Sequence, residues 1–225
     1  MDVNVIGRVR KLLEGIDAEA AGASGQIGLT PQLEQLIAAA AAPYREIVRM
    51  GRAFQITTTT AVAAAAAIPS TTGGLSLYNN EADGGRSYVI DFISANGVAT
   101  AAAAGHAQLL ALIGQVRETA PTNSALIAKK LNGLGGGTND TRARTILTGT
   151  ALPATTGIAA DWFPVGPGLE RAAAASLPGQ GLYWQADGRV IVPPGRYFSM
   201  QVLADTAAST FQLCIAWHEV QLQLG

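Results

Sequence analysis

The segment 183–224 near the end of the chain alternates like paired β-strands, and this limits the fold more than any other feature. Phe211, Leu213, Ile215 and Trp217 recur at every second position. Period two places all four on one side of a pleated strand, whereas a helix would scatter them. Ala186, Asp187 and Gly188 lie between two strand-like runs, 181–185 and 189–192, and Asp-Gly predicts a hairpin between them. Pro193, Pro194 and Gly195 predict a turn, followed by a strand over 197–204, a loop over 205–209 and a final strand over 210–224. In that final strand Val220, Leu222 and Leu224 carry the parity opposite to Trp217. The switch across His218 and Glu219 predicts a β-bulge or a strand that leaves one sheet face for another contact, and it makes Val220, Leu222 and Leu224 candidates for an oligomer interface.

Upstream the period is different. Val5, Val9, Leu12, Leu13 and Ile16 fall near helical spacing. Thr30 and Pro31 form an N-cap and first-turn proline for a second helix through Leu33, Leu36 and Ile37, and 44–50 extends it. Residues 1–50 are therefore expected to form a helical arm or hairpin whose stripe is too narrow to fold alone. From Gly51 the period becomes two, so 51–225 is expected to be one β domain. Phe54, Ile56 and four threonines at 57–60 favour a strand, and the alanines of 61–67 continue as strand and turn. Further strands are expected at 75–78, 87–104, 109–116, 144–148 and 158–165, with a glycine-rich loop over 132–140. Short strands with Gly and Pro turns predict an antiparallel β-sandwich, jelly-roll-like in arrangement.

Composition narrows the class. Of 225 residues only 14 % are charged, against about 25 % for an ordinary soluble domain. A surface so poor in charge is expected to be covered partly by other copies or partners. The net charge of −1 and the scattered basic residues speak against nucleic acid. The run 57–68 is too short and too rich in Thr and Ala for a membrane span, and no cleaved leader is expected. The single cysteine, Cys214, rules out an intrachain disulfide and fits a small buried hydrophobe.

The search for chemistry finds no catalytic set, no metal site and no cofactor motif. There are two histidines. His106 has no acidic neighbour in sequence, and His218 and Glu219 point to opposite faces of a strand, so they could grip one ion only through a bulge; a strand-end pair that hydrogen-bonds or meets another subunit is the expected role. Asp91, Asp161, Asp187 and Glu219 are scattered, so no spacing demands a glycosidase pair. Asn139 and Asp140 lack the alternating carboxylates of a calcium loop. The glycines at 133 and 135–137 are followed by no Lys-Ser/Thr, so they do not make a phosphate loop. Trp162, Tyr183 and Trp184 are the candidate platform for a stacked ligand such as a sugar, weighed against service in the core.

Three segments carry a resemblance: Trp162 to Gly166 (WFPVG), Asp187 to Arg196 (DGRVIVPPGR), and Trp217 to Val220 (WHEV). They resemble jelly-roll structural proteins of tailed-phage particles, the capsid decoration (cement), spike and fibre-head group. The IVPPG turn and terminal tryptophan strand are also similar to trimeric tumour-necrosis-factor-like heads. The resemblance implies a non-enzymatic virion structural protein, assembled in the host cytoplasm, that self-associates, with a trimer favoured. It would decorate or cement a capsid by contact with a major capsid or tail protein, without binding nucleic acid or membrane. The alternative it implies is a receptor- or carbohydrate-binding head of a tail fibre or spike.

Overall fold

The computed structural model describes residues 45–70, 72–99, 105–117, 126–133, 143–147, 161–171 and 181–221. The chain divides into two units, Met1–Met50 and Gly51–Gly225. The described part of the first holds one short helix, α1 (Arg45–Arg49). The remainder of the expected arm lies outside the described residues.

The second unit is β throughout its described length. Its strands are β1 (Ala53–Thr57), β2 (Val62–Ala63), β3 (Leu75–Asn79), β4 (Ser87–Ala99), β5 (Gly105–Ile113), β6 (Lys129–Lys130), β7 (Ala143–Leu147), β8 (Trp162–Arg171), β9 (Gly181–Val192), β10 (Tyr197–Ala204) and β11 (Thr210–Val220). They form two sheets. The first runs β6-β1-β11-β4-β9 with β2 also paired to β11, and the second runs β7-β3-β10-β5-β8. Every strand pairing is antiparallel.

One apolar cluster joins the two sheets. Phe54, Ile56, Ile90, Ile93, Leu213 and Ile215 meet Leu75, Leu77, Leu109, Phe198, Met200 and Val202 from the facing sheet. Alternation is the cause: every second side chain of each strand enters this layer, and each large one contributes about 1.5–3 kcal/mol. Trp217 is fully buried there, stacked on Phe54 at 5.7 Å and tilted against Tyr88 at 5.9 Å. The unit is thus a β-sandwich-like fold. Phe211, Leu213, Ile215 and Trp217 stand in its core as their spacing predicts.

The pairing is nested. β1 pairs with β11, β3 with β10, β4 with β9, and β5 with β8. The chain is therefore one long antiparallel ribbon doubled on itself. The pairings β11 with β4 and β10 with β5 then roll the ribbon into two sheets. Asn79 ties one end of the roll. Its side-chain amide donates to the carbonyls of Arg86 (2.8 Å) and Val192 (2.9 Å), while its own carbonyl accepts the Gly195 amide at 2.8 Å. That last bond holds the turn at 193–195, where Gly195 takes a φ of 75° and the chain passes between sheets.

Two expectations are corrected. The Asp-Gly sequence does not make a hairpin, because β9 continues through it. Asp187 (φ 48°) and Gly188 (φ 76°) do adopt the left-handed backbone of a tight turn. Yet the segments on both sides pair with β4: Gln185 faces Phe92, Val190 faces Ile90, and residues 186–189 stand opposite Asp91 alone. The local conformation was in the dipeptide, but β4 is long enough to serve both flanks. The second correction concerns the bulge. It lies in β4 and not in β11: Ala216 faces Phe92 and Trp217 faces Ile90, which leaves Asp91 as the extra residue. β11 keeps its alternation, and the apolar pattern breaks at Glu219 because a charged side chain takes an inward position.

Most other strands fall close to their expected places, but β5 begins at Gly105 and ends at Ile113, ahead of the expected 109–116. β3, β7 and β10 lie within a residue of the predicted bounds, and β4 passes straight through Asn96 and Gly97. β8 starts later and runs longer than 158–165. Residues 134–140 of the expected glycine-rich loop lie outside the described residues.

Candidate functional site

Two acid–base pairs stand on adjacent positions of β11. Trp217 faces the core, so His218 turns to the outer face of the first sheet and Glu219 turns back inward. The bulge sets the first pair: freed from regular pairing, Asp91 brings Oδ1 to 2.7 Å from His218 Nδ1. Both side chains are largely covered, at 14 % and 10 % exposure. The second pair joins Glu219, 2 % exposed, to Arg86, whose Nη1 lies 2.8 Å from Oε2. The guanidinium offsets part of the cost of burying a carboxylate beside Tyr88 and Trp217. The two pairs lock the start of β4 to the end of β11.

Away from this end the outer face of the first sheet is built from small and amide side chains. Cys214 lies between Thr57 of β1 and Ser94 of β4, and Gln55 Nε2 donates to its Sγ at 3.2 Å. Burial pushes the thiol pKa up, only partly offset by the hydrogen bonds from Thr57, Gln55 and Ser94. The thiol is thus held neutral and behaves as the small buried group expected of it. Next to it Phe92 and Tyr183 make a tilted aromatic pair with centroids 5.6 Å apart, and Tyr183 is 49 % exposed.

The three aromatics weighed as a ligand platform stand on three separate surfaces. Tyr183 is on the outer face of the first sheet. Trp184, its neighbour in the strand, packs against the core between the sheets. Trp162 belongs to a second cluster, with Tyr78, Leu110, Leu112 and Tyr197, on the outer face of the second sheet. On the same face Ser76 and Ser199 are buried and hydrogen-bonded to each other, so the outer side of the second sheet is mixed in polarity. The indole N–H groups of Trp162 and Trp217 are buried without a hydrogen-bond partner among the described residues. Of the candidate interface residues, Val220 closes β11 half-buried on the outer parity, and Leu222 and Leu224 lie outside the described residues.

Sequence reading missed a further pair. His106, lacking an acidic neighbour in sequence, meets Asp205 across the β5–β10 ladder, with Nδ1 to Oδ1 at 2.8 Å. Asp205 Oδ2 also accepts the His106 amide at 2.7 Å. Both side chains are exposed, at 58 % and 45 %, and the carboxylate serves to cap the start of β5. The remaining carboxylates do not converge. Asp91 turns to His218, Glu219 to Arg86, and Asp187 accepts from Gln185 Nε2 at 2.6 Å. Among the described residues no group of three His, Cys, Asp or Glu side chains could hold a metal ion. No helix among them is long and apolar enough to cross a membrane.

No family model, curated protein or solved structure matches the chain.

Proposed function

We propose that residues 51–225 form a jelly roll and that the protein is a non-enzymatic structural component of a phage particle, decorating or cementing its capsid. The observation that carries this is the nested pairing of β1 with β11, β3 with β10, β4 with β9 and β5 with β8. A ribbon doubled and rolled in this way is the jelly-roll arrangement, used by viral capsid and lectin domains. The step from architecture to role is by analogy with such particle proteins. Composition supports self-association: with 14 % charged residues, a surface of small and amide side chains gains from contact with copies of itself. A trimer is the favoured assembly, with a major capsid or tail protein as partner and the virion as location.

Of the three aromatics named for the fibre-head alternative, Trp162 and Trp184 pack in separate apolar clusters, while Tyr183 stands 49 % exposed on the outer face of the first sheet.

The test is assembly. Size-exclusion chromatography with light scattering is expected to give a discrete oligomer, and the chain is expected to co-purify with intact particles in stoichiometric amount. A strict monomer that leaves no trace on purified particles would overturn the proposal.

A further inference from the structure

Among the described residues β9 is the edge of the first sheet and β8 the edge of the second. An edge strand offers unpaired N–H and C=O groups to any passing chain, and folds in which this causes association need a device to prevent it. Both strands leave regular pairing near their middle. In β8, Ala107 faces Leu169 and Leu109 faces Val165, so Gly166, Pro167 and Gly168 stand opposite Gln108 alone. In β9, residues 186–189 stand opposite Asp91 alone. β8 also carries Pro164 and Pro167, which have no N–H to give.

The two excursions are not independent. Gly166 takes a φ of 68°, and a Cβ at that position would lie 2.8 Å from the Tyr183 carbonyl oxygen and 3.5 Å from Trp184 Cβ. The β8 excursion therefore rests on the β9 backbone at the segment that remains strand-like, and the Asp-Gly excursion breaks the rest of that edge. We infer that the Gly166–Pro167–Gly168 excursion seats on β9 as an edge guard, which with the left-handed turn at Asp187 and Gly188 denies this side of the sandwich to a strand from a second copy. The inference stands on the two edges and does not need the virion reading.

Gly166→Ala tests it, with Gly133→Ala as the matched control. Gly133 has nearly the same φ, 69°, but nothing within 4 Å of a Cβ. Both substitutions strain the backbone alike, and only the first pushes β8 off β9. With Gly166→Ala, amide exchange at Tyr183 and Trp184 is expected to quicken about tenfold or more. The weight-average mass in light scattering is expected to climb with concentration above that of the parent, whereas Gly133→Ala leaves both readings unchanged. Should Gly166→Ala fail to fold, the double variant Pro164→Thr/Pro167→Thr, which restores two donors to β8, is expected to raise the mass in the same way. A folded variant of either kind whose mass profile matches the parent over the whole concentration range would overturn the inference. So would a Gly133→Ala chain that associates as strongly as Gly166→Ala.

Discussion

β11 and β9 belong to the same sheet and flank the same strand, β4, yet they solve opposite problems. β11 is central: it is paired on both sides and alternates from Phe211 to Glu219 without a break of its own. Its irregularities are taken up by β4, at Asp91 and Val98. Among the described residues β9 is paired on one side only, and it absorbs four residues opposite one. β4 is also paired on both sides, but its extra residue at Asp91 coincides with the break in its pairing to the edge strand β9, so the irregularity falls where one neighbour is free to give way. An edge strand can bulge outward, and the bulge protects it.

Substitutions sharpen this contrast in order of size. Trp217→Ala removes the side chain that fills the layer between Phe54 and Tyr88, and it is expected to destabilise the fold by about 3–5 kcal/mol in urea denaturation. A loss under about 1 kcal/mol would mean that β11 is not the packed centre of the sandwich. Arg86→Ala leaves Glu219 buried without its guanidinium. It is expected to cost about 2 kcal/mol, less than a fully buried pair because Arg86 is itself 31 % exposed. Arg86→Lys should recover part of that loss, and equal losses for both variants would show that the charge is not what matters.

On β9 the expected effect is smaller. Gly188→Ala meets only Val89 Cγ1, at an ordinary 3.7 Å, so its cost is the left-handed backbone alone, about 1 kcal/mol. A melting experiment showing several times that loss would place β9 among the structural strands and erase the contrast.

The smallest effect is pH-dependent and sits on β11. Burial raises the Cys214 pKa, so the native state keeps its thiol proton at a pH where the unfolded chain has released it. That stability is present in full below the ordinary thiol value near ~8.5, and it is lost as pH rises from there through the raised native value. Urea midpoints are expected to fall on this alkaline side for the parent. The slope should flatten in Cys214→Ala, and an unchanged slope would exclude the thiol as its source.

The sandwich class could be read from the residues because alternation and turn chemistry are local. Phe211, Leu213, Ile215 and Trp217 declare a buried strand face by spacing alone, and Pro193, Pro194 and Gly195 declare a turn from backbone restriction. The acid–base pairs were not legible. Arg86 and Glu219 are 133 residues apart, and nothing local in either stretch marks the other. The same holds for His106 and Asp205, which are 99 residues apart. Asp187 and Gly188 mark the boundary between the two cases: the positive φ angles follow from the residue types, while the choice of pairing partner does not.

The sequence by itself determined where strands run, which of their faces are apolar and where the backbone must turn, since these follow from side-chain period, β-branching, proline and glycine. Only the tertiary structure decided which strands pair, which residue bulges and which charges meet. Those outcomes depend on competition between distant segments for the same neighbour, and that competition is settled by β4, long enough to pair with β11 on one side and with both halves of β9 on the other.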